Sequence, residues 1–338
     1  MKLGIIGDIH LSATPPGRRS ETYLADVQAK LEEIARADDV DMWLLIGDIF
    51  HHKRANRVPH WLVSWTWDWL SQLAMAPGPS HPDRGIYIVP GNHDLADGSI
   101  ESIERQPLGV LERHPSVVIA RGIYAPNPWP EQPPYVPHAN ILTTDQHFMA
   151  VPGTGAVCDA TADLGLELED VAWVFAHAPI DRGDKPWATY DAATLPLHPN
   201  TKGVIYGHQH DEPGAWARPD GKLVIATGAV SRGSVTEANH QPAWVVLDTD
   251  GVVSTQVPGA VEVRPIACAR PAADVYRWAE RTAEREADAT VAAFVQALDA
   301  ETLEGFSTEA LADSIGKRAD LDDAVRAEAV AILTDSPA

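Results

Sequence analysis

The chain has 338 residues, enough to bury the core of one large domain or of two ordinary ones, and its apolar share of 45% is normal for a globular protein. Its formal net charge of −22 excludes the broad basic surface on which non-specific nucleic-acid binding usually depends. No apolar run approaches the roughly 20 residues of a membrane span. The two distant cysteines lack metal-type spacing and indicate a reducing compartment, so we expect a cytoplasmic protein without a membrane partner.

Short apolar, strand-like runs alternate with helical patterns early in the chain, and strand follows strand later. Strands are expected at residues 2–7, 42–47, 86–89, 117–120, 171–176, 203–207, 222–227 and 243–248. Helical periodicity predicts helices at residues 21–37, 60–76 and 99–113, and six prolines make residues 125–138 a loop. In the second helix, Trp61, Trp65 and Trp69 recur at helical spacing, which favours a core stripe over a base-stacking platform. This order of elements predicts a layered α/β fold.

The composition changes near residue 270. Residues 272–338 are rich in alanine and contain 15 acidic and 6 basic side chains, a net charge of −9, without strand-like runs. Their charged, periodic pattern predicts two to four helices. We therefore expect one domain over residues 1–270 and an appended acidic helical element over residues 271–338.

Five of the predicted strands lead directly into polar side chains. The segments concerned are Gly7-Asp8-Ile9-His10, Gly47-Asp48-Ile49-Phe50-His51, Gly91-Asn92-His93-Asp94, His177 and His208-Gln209-His210. Ligands of α/β sheets bind outside the carboxyl ends of the strands, so these side chains are expected to converge on one site. Carboxylates, imidazoles and an amide so close to a core need partners, and metal ions are their natural ones.

The ordered blocks D-x-H, G-D, G-N-H-D, a single H and G-H-x-H resemble those of the calcineurin-like metallophosphoesterase superfamily over roughly residues 1–250. The resemblance implies a four-layer α/β/β/α sandwich carrying the helical element, and a two-metal phosphoester hydrolase. It implies that His93 is the catalytic histidine and that Asp94 orients it. The implied metal ligands are Asp8, His10 and His210 for one ion, Asn92, His177 and His208 for the other, and Asp48 as the bridge.

The residue types suit this chemistry. Two divalent cations about 3.5–4 Å apart can activate water together and hold phosphoryl oxygens. Mixed oxygen and nitrogen ligation favours Mn²⁺, Fe, Zn²⁺ or Ni²⁺ over Ca²⁺, with Mn²⁺ as the expected activator. A protonated His93 can stabilise charge on the phosphoryl group or protonate the leaving oxygen.

The segment from Gly47 to His51 resembles the nuclease branch typified by the DNA-repair nuclease SbcD, in which a histidine three residues after the bridging aspartate helps to cleave phosphodiesters. His51 holds that position. The expected function is therefore hydrolysis of nucleic-acid phosphodiesters, and four basic residues are candidate phosphate contacts: Arg18, Arg19, Lys53 and Arg54. Two alternatives stay open. Net acidity favours the first, a cyclic-nucleotide (2′,3′ or 3′,5′) phosphodiesterase or a phosphomonoesterase. The second is a metal-free interaction scaffold, against which the complete ligand set argues.

The same resemblance bears on partners. In the SbcD branch, a capping domain and then helices that bind a long coiled-coil ATPase follow the catalytic domain. About 67 residues remain here, so the cap would be truncated or missing. The C-terminal helices are a candidate site for an SbcC-like ATPase partner, and a homodimer is the other assembly to consider.

Overall fold

The computed structural model describes residues 1–75, 85–96, 100–120, 147–151, 171–181, 190–195, 197, 199, 201–210, 213–249 and 260–277, and short stretches of 312–330. The chain divides into two units, Met1–Arg277 and Trp278–Ala338. The predicted loop at residues 125–138 lies outside the described residues. In the second unit the described stretches between 312 and 330 include helical residues, and the two to four helices expected there stay a prediction. Among the described residues, every helix is too short or too polar to cross a membrane.

The strands and helices of the first unit follow in chain order. The strands are β1 (Lys2–Gly7), β2 (Met42–Ile46), β3 (Ile86–Val89), β4 (Val117–Ile119), β5 (His147–Val151), β6 (Val171–His177), β7 (Ile180–Asp181), β8 (Tyr190–Asp191), β9 (Gly203–Gly207), β10 (Gly214–Ala217), β11 (Leu223–Ala226), β12 (Ala243–Asp248) and β13 (Val261–Pro265). The α-helices are α1 (Tyr23–Ile34), α2 (His60–Met75), α3 (Pro107–Leu111) and α4 (Ala272–Val275). Short 3₁₀ helices lie at Ala55–Arg57, Ile100–Arg105 and Val235–Glu237.

Two sheets carry the site. The first has six strands in the order β13-β12-β1-β2-β3-β4, in which β1 to β4 are parallel, β12 is antiparallel to β1, and β13 is antiparallel to β12. The second has five strands in the order β10-β11-β9-β6-β5, of which only β10 is antiparallel to its neighbour. The parallel strands therefore direct several carboxyl ends toward one edge of each sheet.

Both faces of the first sheet are buried. In β2, Leu44 and Ile46 pack with Phe175 and Ile205 of the second sheet. Trp43 and Leu45 point to the opposite face and pack with residues of α1 and α2. Because successive side chains of a strand point to opposite faces, a fully apolar strand is buried on both sides. The described residues thus form a helical layer, a sheet and a second sheet.

The outer face of the second sheet has a different cover. Val174 and Tyr206 pack there with Ala192 and Leu195, which belong to loop segments. A second helical layer is not among the described residues, so the fourth layer of the expected sandwich stays a prediction. The α/β class itself is confirmed.

The eight predicted strands are confirmed to within one residue at each end. The helix predicted at residues 99–113 is wrong as a single helix, because the chain forms the 3₁₀ helix Ile100–Arg105 and then α3. Gln106 between them is extended, with φ −106° and ψ 162°, since a residue before proline avoids the helical region. The tryptophan stripe is core only in part: Trp69 is buried, whereas Trp61 is 55% exposed.

Candidate metal centre

The carboxyl ends of five strands bring the predicted ligands together. Asp8 directly follows β1, His177 ends β6, and His208 directly follows β9. Asp48 and Asn92 lie in the loops that follow β2 and β3. The predicted convergence of these loops on one site is therefore found. The side chains form two adjacent groups, and within each group the nitrogen and oxygen atoms lie close to one another.

The first group consists of Asp8, His10 and His210. The Nε2 atoms of the two histidines are 2.9 Å apart, and Asp8 Oδ1 is 3.3 Å from His210 Nε2 and 3.9 Å from His10 Nε2. Two ligand atoms that each lie about 2.1 Å from one ion at a right angle are about 3 Å apart. The spacing and the donor types of this group therefore fit a divalent cation.

The second group consists of Asp48, His177 and His208, and Asn92 joins it. Asn92 Oδ1 is 3.2 Å from His177 Nε2 and 3.0 Å from His208 Nδ1, and the two imidazole nitrogens are 3.3 Å apart. A carboxylate, two imidazoles and an amide oxygen again fit a cation that accepts both nitrogen and oxygen ligands.

Asp48 lies between the two groups. Its Oδ2 atom is 3.5 Å from His10 Nε2 in the first group and 3.5 Å from His177 Nε2 in the second. Its other oxygen, Oδ1, accepts a hydrogen bond of 2.7 Å from the backbone N–H of His93. This hydrogen bond fixes the carboxylate, so that Oδ2 stays directed at both groups.

The backbone at the site is strained. Six non-glycine residues have positive φ among the residues that the structure describes, and five of them are predicted ligands. The five are Asp8, His10, Asp48, His208 and His210, with φ between 45° and 85°. Residues other than glycine rarely adopt this backbone conformation, which costs about 1–3 kcal/mol for each residue. Such strain, gathered on one set of polar residues, is typical of a functional site.

Two glycines allow the loops to approach each other. Gly47 has φ 71°, and a Cβ there would lie 2.1 Å from His177 Nδ1. A Cβ at Gly91 would lie 2.1 Å from Asp48 Oδ1. Any side chain at either position would therefore displace a predicted ligand, which explains why glycine precedes the polar residues of these blocks.

Burial and charge set the protonation of the site. Burial lowers the pKa of His10 to about 3 and the pKa of His208 to about 4, so both rings are neutral at pH 7 and can bind a cation. Burial acts on His177 in the same direction, but the charge of Asp48 outweighs it and raises the pKa of His177 to about 9. Burial raises the pKa of Asp48, but the opposing effect of the neighbouring histidines, His177 first, is larger. The net pKa of Asp48 therefore lies below its usual range. A cation would replace the proton of His177 as the partner of this carboxylate.

His93 and His51 lie at the side of the first group. The His93 ring meets the His10 ring edge-on at 4.9 Å and stacks on the His51 ring at 5.6 Å. His93 Nδ1 donates a hydrogen bond to the backbone carbonyl of His51, which fixes its tautomer and orientation. His10, His51 and His93 form a third group with ligand-type spacing, so the metal content of variants is informative here.

Asp94 contacts the backbone and not the His93 ring. Its carboxylate is 4% exposed and accepts hydrogen bonds from the N–H groups of Gly91 at 2.9 Å and Ile49 at 3.0 Å. Burial raises the pKa of Asp94 to about 7, and the charge of Asp48 adds to this. If Asp94 orients His93, it does so indirectly, by fixing the loops that carry Gly91 and Ile49. The His93 ring itself is held by the His51 carbonyl.

Arg19 corrects the prediction of four phosphate contacts. Its side chain is fully buried, donates to the Arg232 carbonyl and to Asp26 Oδ2 at 3.1 Å each, and lies between the rings of Tyr23 and Tyr276 at 5.0 and 5.2 Å. A guanidinium that is enclosed by two aromatic rings and paired with a buried carboxylate is unavailable to a substrate. Arg18 is half-buried, and Lys53 and Arg54 are exposed. These three stay candidate phosphate contacts.

We expect Arg19→Ala to lower the free energy of unfolding by about 3 kcal/mol, because it removes a buried partner of Asp26. The loss should lie at the lower end of the usual range, since Arg270 also pairs with Asp26 at 3.1 Å. Denaturant unfolding followed by circular dichroism measures it. The control is Lys53→Ala, which is exposed and should change stability by less than about 0.5 kcal/mol. Equal stability of the two variants would return Arg19 to the surface contacts.

Two functional neighbours escaped the sequence analysis. Glu237 Oε1 accepts a hydrogen bond of 2.9 Å from His210 Nδ1, and Tyr23 OH donates one of 2.7 Å to the His10 carbonyl. The signal for Glu237 was present, since Ser234 and Glu237 have the spacing of a capping box, which the structure forms. The sequence carries no comparable signal for Tyr23.

The region that carries this site matches a known protein family. The family model of the calcineurin-like phosphoesterases matches residues 1–212. A search of curated protein sequences found no match. Among solved structures, the chain is similar to TT1561 of Thermus thermophilus, with 16% identity, a TM-score of 0.41 and coverage of 78% of this chain and 98% of that one. It is also similar to the 5′-nucleotidase precursor of the same organism, with 13% identity, a TM-score of 0.39 and coverage of 86% of this chain and 59% of that one.

The family model spans well over half of the chain, and the matched region contains all seven predicted ligands. The aspartate and histidine clusters found there could hold metal ions. The chain therefore belongs to the calcineurin-like phosphoesterase family, and it is a metal-dependent phosphoester hydrolase.

Proposed function

We propose that the chain is a two-metal phosphodiesterase of the SbcD type that hydrolyses nucleic-acid phosphodiester bonds. The observation that carries the proposal is the position of Asp48 Oδ2, which is 3.5 Å from one histidine of each ligand group. Asp8, His10 and His210 would hold one cation, Asn92, His177 and His208 the other, and Asp48 both. When bound, two divalent cations supply positive charge for the phosphoryl oxygens and lower the pKa of the attacking water.

The remaining groups act on the substrate. The hydrogen bond from His93 Nδ1 to the His51 carbonyl leaves Nε2 of His93 for the phosphate. From there it can donate a proton to the leaving oxygen or stabilise charge on the phosphoryl group. Burial lowers the pKa of His51 to about 4, and the neighbouring His93 adds to this, so His51 is neutral at pH 7. A neutral imidazole can hydrogen-bond an esterified oxygen without attracting anions indiscriminately.

The position of His51 supports the choice of a diester. Its ring stacks on the His93 ring, so a phosphate that contacts His93 would also reach His51. A diester has a second esterified oxygen that such a neutral neighbour can accommodate, whereas the additional negative charge of a monoester would be held better by a cationic side chain. The exposed Lys53 and Arg54 follow two and three residues later and would contact the flanking phosphates.

One observation favours a smaller substrate. With Arg19 buried, three of the four predicted phosphate contacts remain in a chain of net charge −22. Fewer basic contacts suit a cyclic nucleotide or a phosphomonoester better than a long polyanion. This is the second candidate function on the same site.

A panel of substrates separates the two candidates. With Mn²⁺ present, linear single- and double-stranded DNA, RNA, 2′,3′- and 3′,5′-cyclic nucleotides and a phosphomonoester are compared by kcat/KM. We expect the highest value for a nucleic-acid diester. A higher value for a cyclic nucleotide would replace the nuclease proposal with the small-diester one, and preference for the monoester would overturn both diester assignments.

His51→Ala tests the diester assignment within the site. We expect kcat/KM for bis-p-nitrophenyl phosphate to fall by about 10²-fold and kcat/KM for p-nitrophenyl phosphate to fall far less, because the imidazole binds an oxygen that only the diester presents. Alanine retains the backbone carbonyl that accepts from His93, so His93 stays in place.

The matched control for this test is His52→Ala. The His52 ring lies 5.1 Å from the His51 ring, but its Nε2 contacts Ser12 Oγ at 3.3 Å. We expect this variant to retain most of the activity on both substrates. Equal losses on the two substrates in His51→Ala would contradict the nuclease-branch assignment.

A further inference from the structure

Glu237 is a buried carboxylate behind one predicted ligand. It ends the 3₁₀ helix Val235–Glu237 and is 3% exposed. Its Oε1 atom accepts hydrogen bonds from His210 Nδ1 at 2.9 Å and from the Ser234 N–H at 3.1 Å. With Nδ1 of His210 donating to this carboxylate, Nε2 is the nitrogen that faces Asp8 and His10.

The corresponding histidine of the second group has a neutral partner. His177 Nδ1 lies 3.1 Å from the Ile46 carbonyl, which accepts its hydrogen bond, whereas Asp8 Oδ1 is farther from the same nitrogen, at 4.0 Å. Asn92, which completes that group, is uncharged as well. The shared Asp48 apart, the first group has one carboxylate among its donors, Asp8, and a second directly behind His210. The two groups are therefore similar in geometry but differ in the negative charge around them.

A carboxylate behind a ligating histidine has two effects. It fixes the tautomer and the ring orientation, and it makes the facing nitrogen more basic, whereas a carbonyl does the second to a lesser degree. Negative charge close to a buried site also favours cation binding at that site more than the same charge would in water.

The turn that carries Glu237 is held firmly. Ser234 Oγ accepts from the Thr236 N–H at 3.3 Å, and Ser234 and Glu237 form a capping box. Tyr276 OH donates to the Ser234 carbonyl at 2.5 Å and lies 2.9 Å from the Arg232 carbonyl. The carboxylate of Glu237 is thus placed by contacts that do not depend on His210.

We propose that Glu237 positions His210 and that its charge makes the first group, Asp8, His10 and His210, bind a divalent cation before the second group does. The inference rests on the proposed two-metal function. Cation loading is then sequential, and Glu237 sets the affinity of the first step without contacting the cation or the substrate.

The test is calorimetric titration of the full chain with Mn²⁺ after removal of metal with a chelator. We expect two steps of unequal affinity for the wild type. In Glu237→Gln the tighter step should weaken by about 10–100-fold, the usual effect of losing such a partner. The weaker step should change by no more than about twofold, because Glu237 does not contact that group. Glutamine keeps the length and the acceptor oxygen of the side chain, so the turn is retained.

A background variant assigns the steps. His208→Ala removes a donor of the second group and should leave only the tighter step, which Glu237→Gln should weaken by the same factor in that background. If Glu237→Gln does not fold, Glu237→Asp, which keeps the charge but shortens the side chain, is titrated instead and should weaken the tighter step by about tenfold. Unchanged affinity in the folded variant would overturn the inference.

Ser234→Ala is the matched structural control. It disrupts the same capping box but leaves the Glu237 carboxylate against His210, so the affinity of the tighter step should stay within about twofold of the wild type. An equal loss in Ser234→Ala and Glu237→Gln would make the role of Glu237 merely structural and would overturn the inference. A wild type that binds fewer than two Mn²⁺ ions would instead overturn the proposed two-metal function.

Discussion

Asp48→Asn is expected to lower kcat/KM for bis-p-nitrophenyl phosphate by more than about 10³-fold, the upper end of what the loss of one catalytic electrostatic group costs. The reason is the shared oxygen of Asp48, which lies 3.5 Å from a histidine of each ligand group. A neutral amide has no charge to hold between two cations, so both should bind more weakly. Steady-state kinetics with Mn²⁺ and elemental analysis of the dialysed protein measure the two effects.

The substitution is suited to separate chemistry from folding. Asp48 has φ 51°, and asparagine adopts this left-handed conformation more readily than most residues. The variant should therefore retain its fold, which circular dichroism checks. Asp39→Asn is the control, because Asp39 pairs with Arg264 at 2.6 Å away from the site and should not affect metal content. Two tightly bound ions in Asp48→Asn would contradict a bridging role.

His93→Ala is expected to lower kcat for the same substrate by about 10²–10⁴-fold, the usual contribution of a general acid or base. Its ring stands edge-on to His10 and is anchored by the His51 carbonyl, whereas the two main ligand groups are complete without it. We therefore expect the metal content to stay at the wild-type value. Single-turnover kinetics and elemental analysis on the same preparation give both quantities.

The exposed His60 at the start of α2 provides the control for that experiment, and His60→Ala should behave as the wild type. Because His93 also belongs to a third histidine group with His10 and His51, a fall in metal content would assign it a ligand role instead. Retained turnover would remove His93 from catalysis altogether.

The sequence was sufficient to predict the strands and the convergence of the ligands. A continuous apolar run such as β2 is followed at once by Gly47 and Asp48, and few arrangements other than a parallel sheet with a site at its edge accommodate that change. The predicted ligands are far apart in sequence, yet each lies at a strand end or within three residues after one. The topology therefore leaves little freedom in where Asp8, Asp48 and His177 lie.

The prediction failed where tertiary contacts decide. Arg18 and Arg19 are adjacent and look equivalent in sequence, but only Arg19 is enclosed by Tyr23 and Tyr276, and the second ring comes from more than 250 residues later in the chain. The Asp94 carboxylate is another example. It accepts hydrogen bonds from backbone N–H groups of two loops, and not from the neighbouring His93 imidazole that the sequence predicted as its partner. An SbcC-like ATPase partner, a homodimer and the C-terminal helices stay predictions.

The left-handed backbone of the five predicted ligand residues has an evolutionary consequence. Replacing Asp8, His10 or His208 by glycine would relieve conformational strain while deleting a donor, so inactive versions of this fold can be at least as stable as active ones. Selection for stability alone would therefore favour the loss of these donors, and selection for turnover retains them.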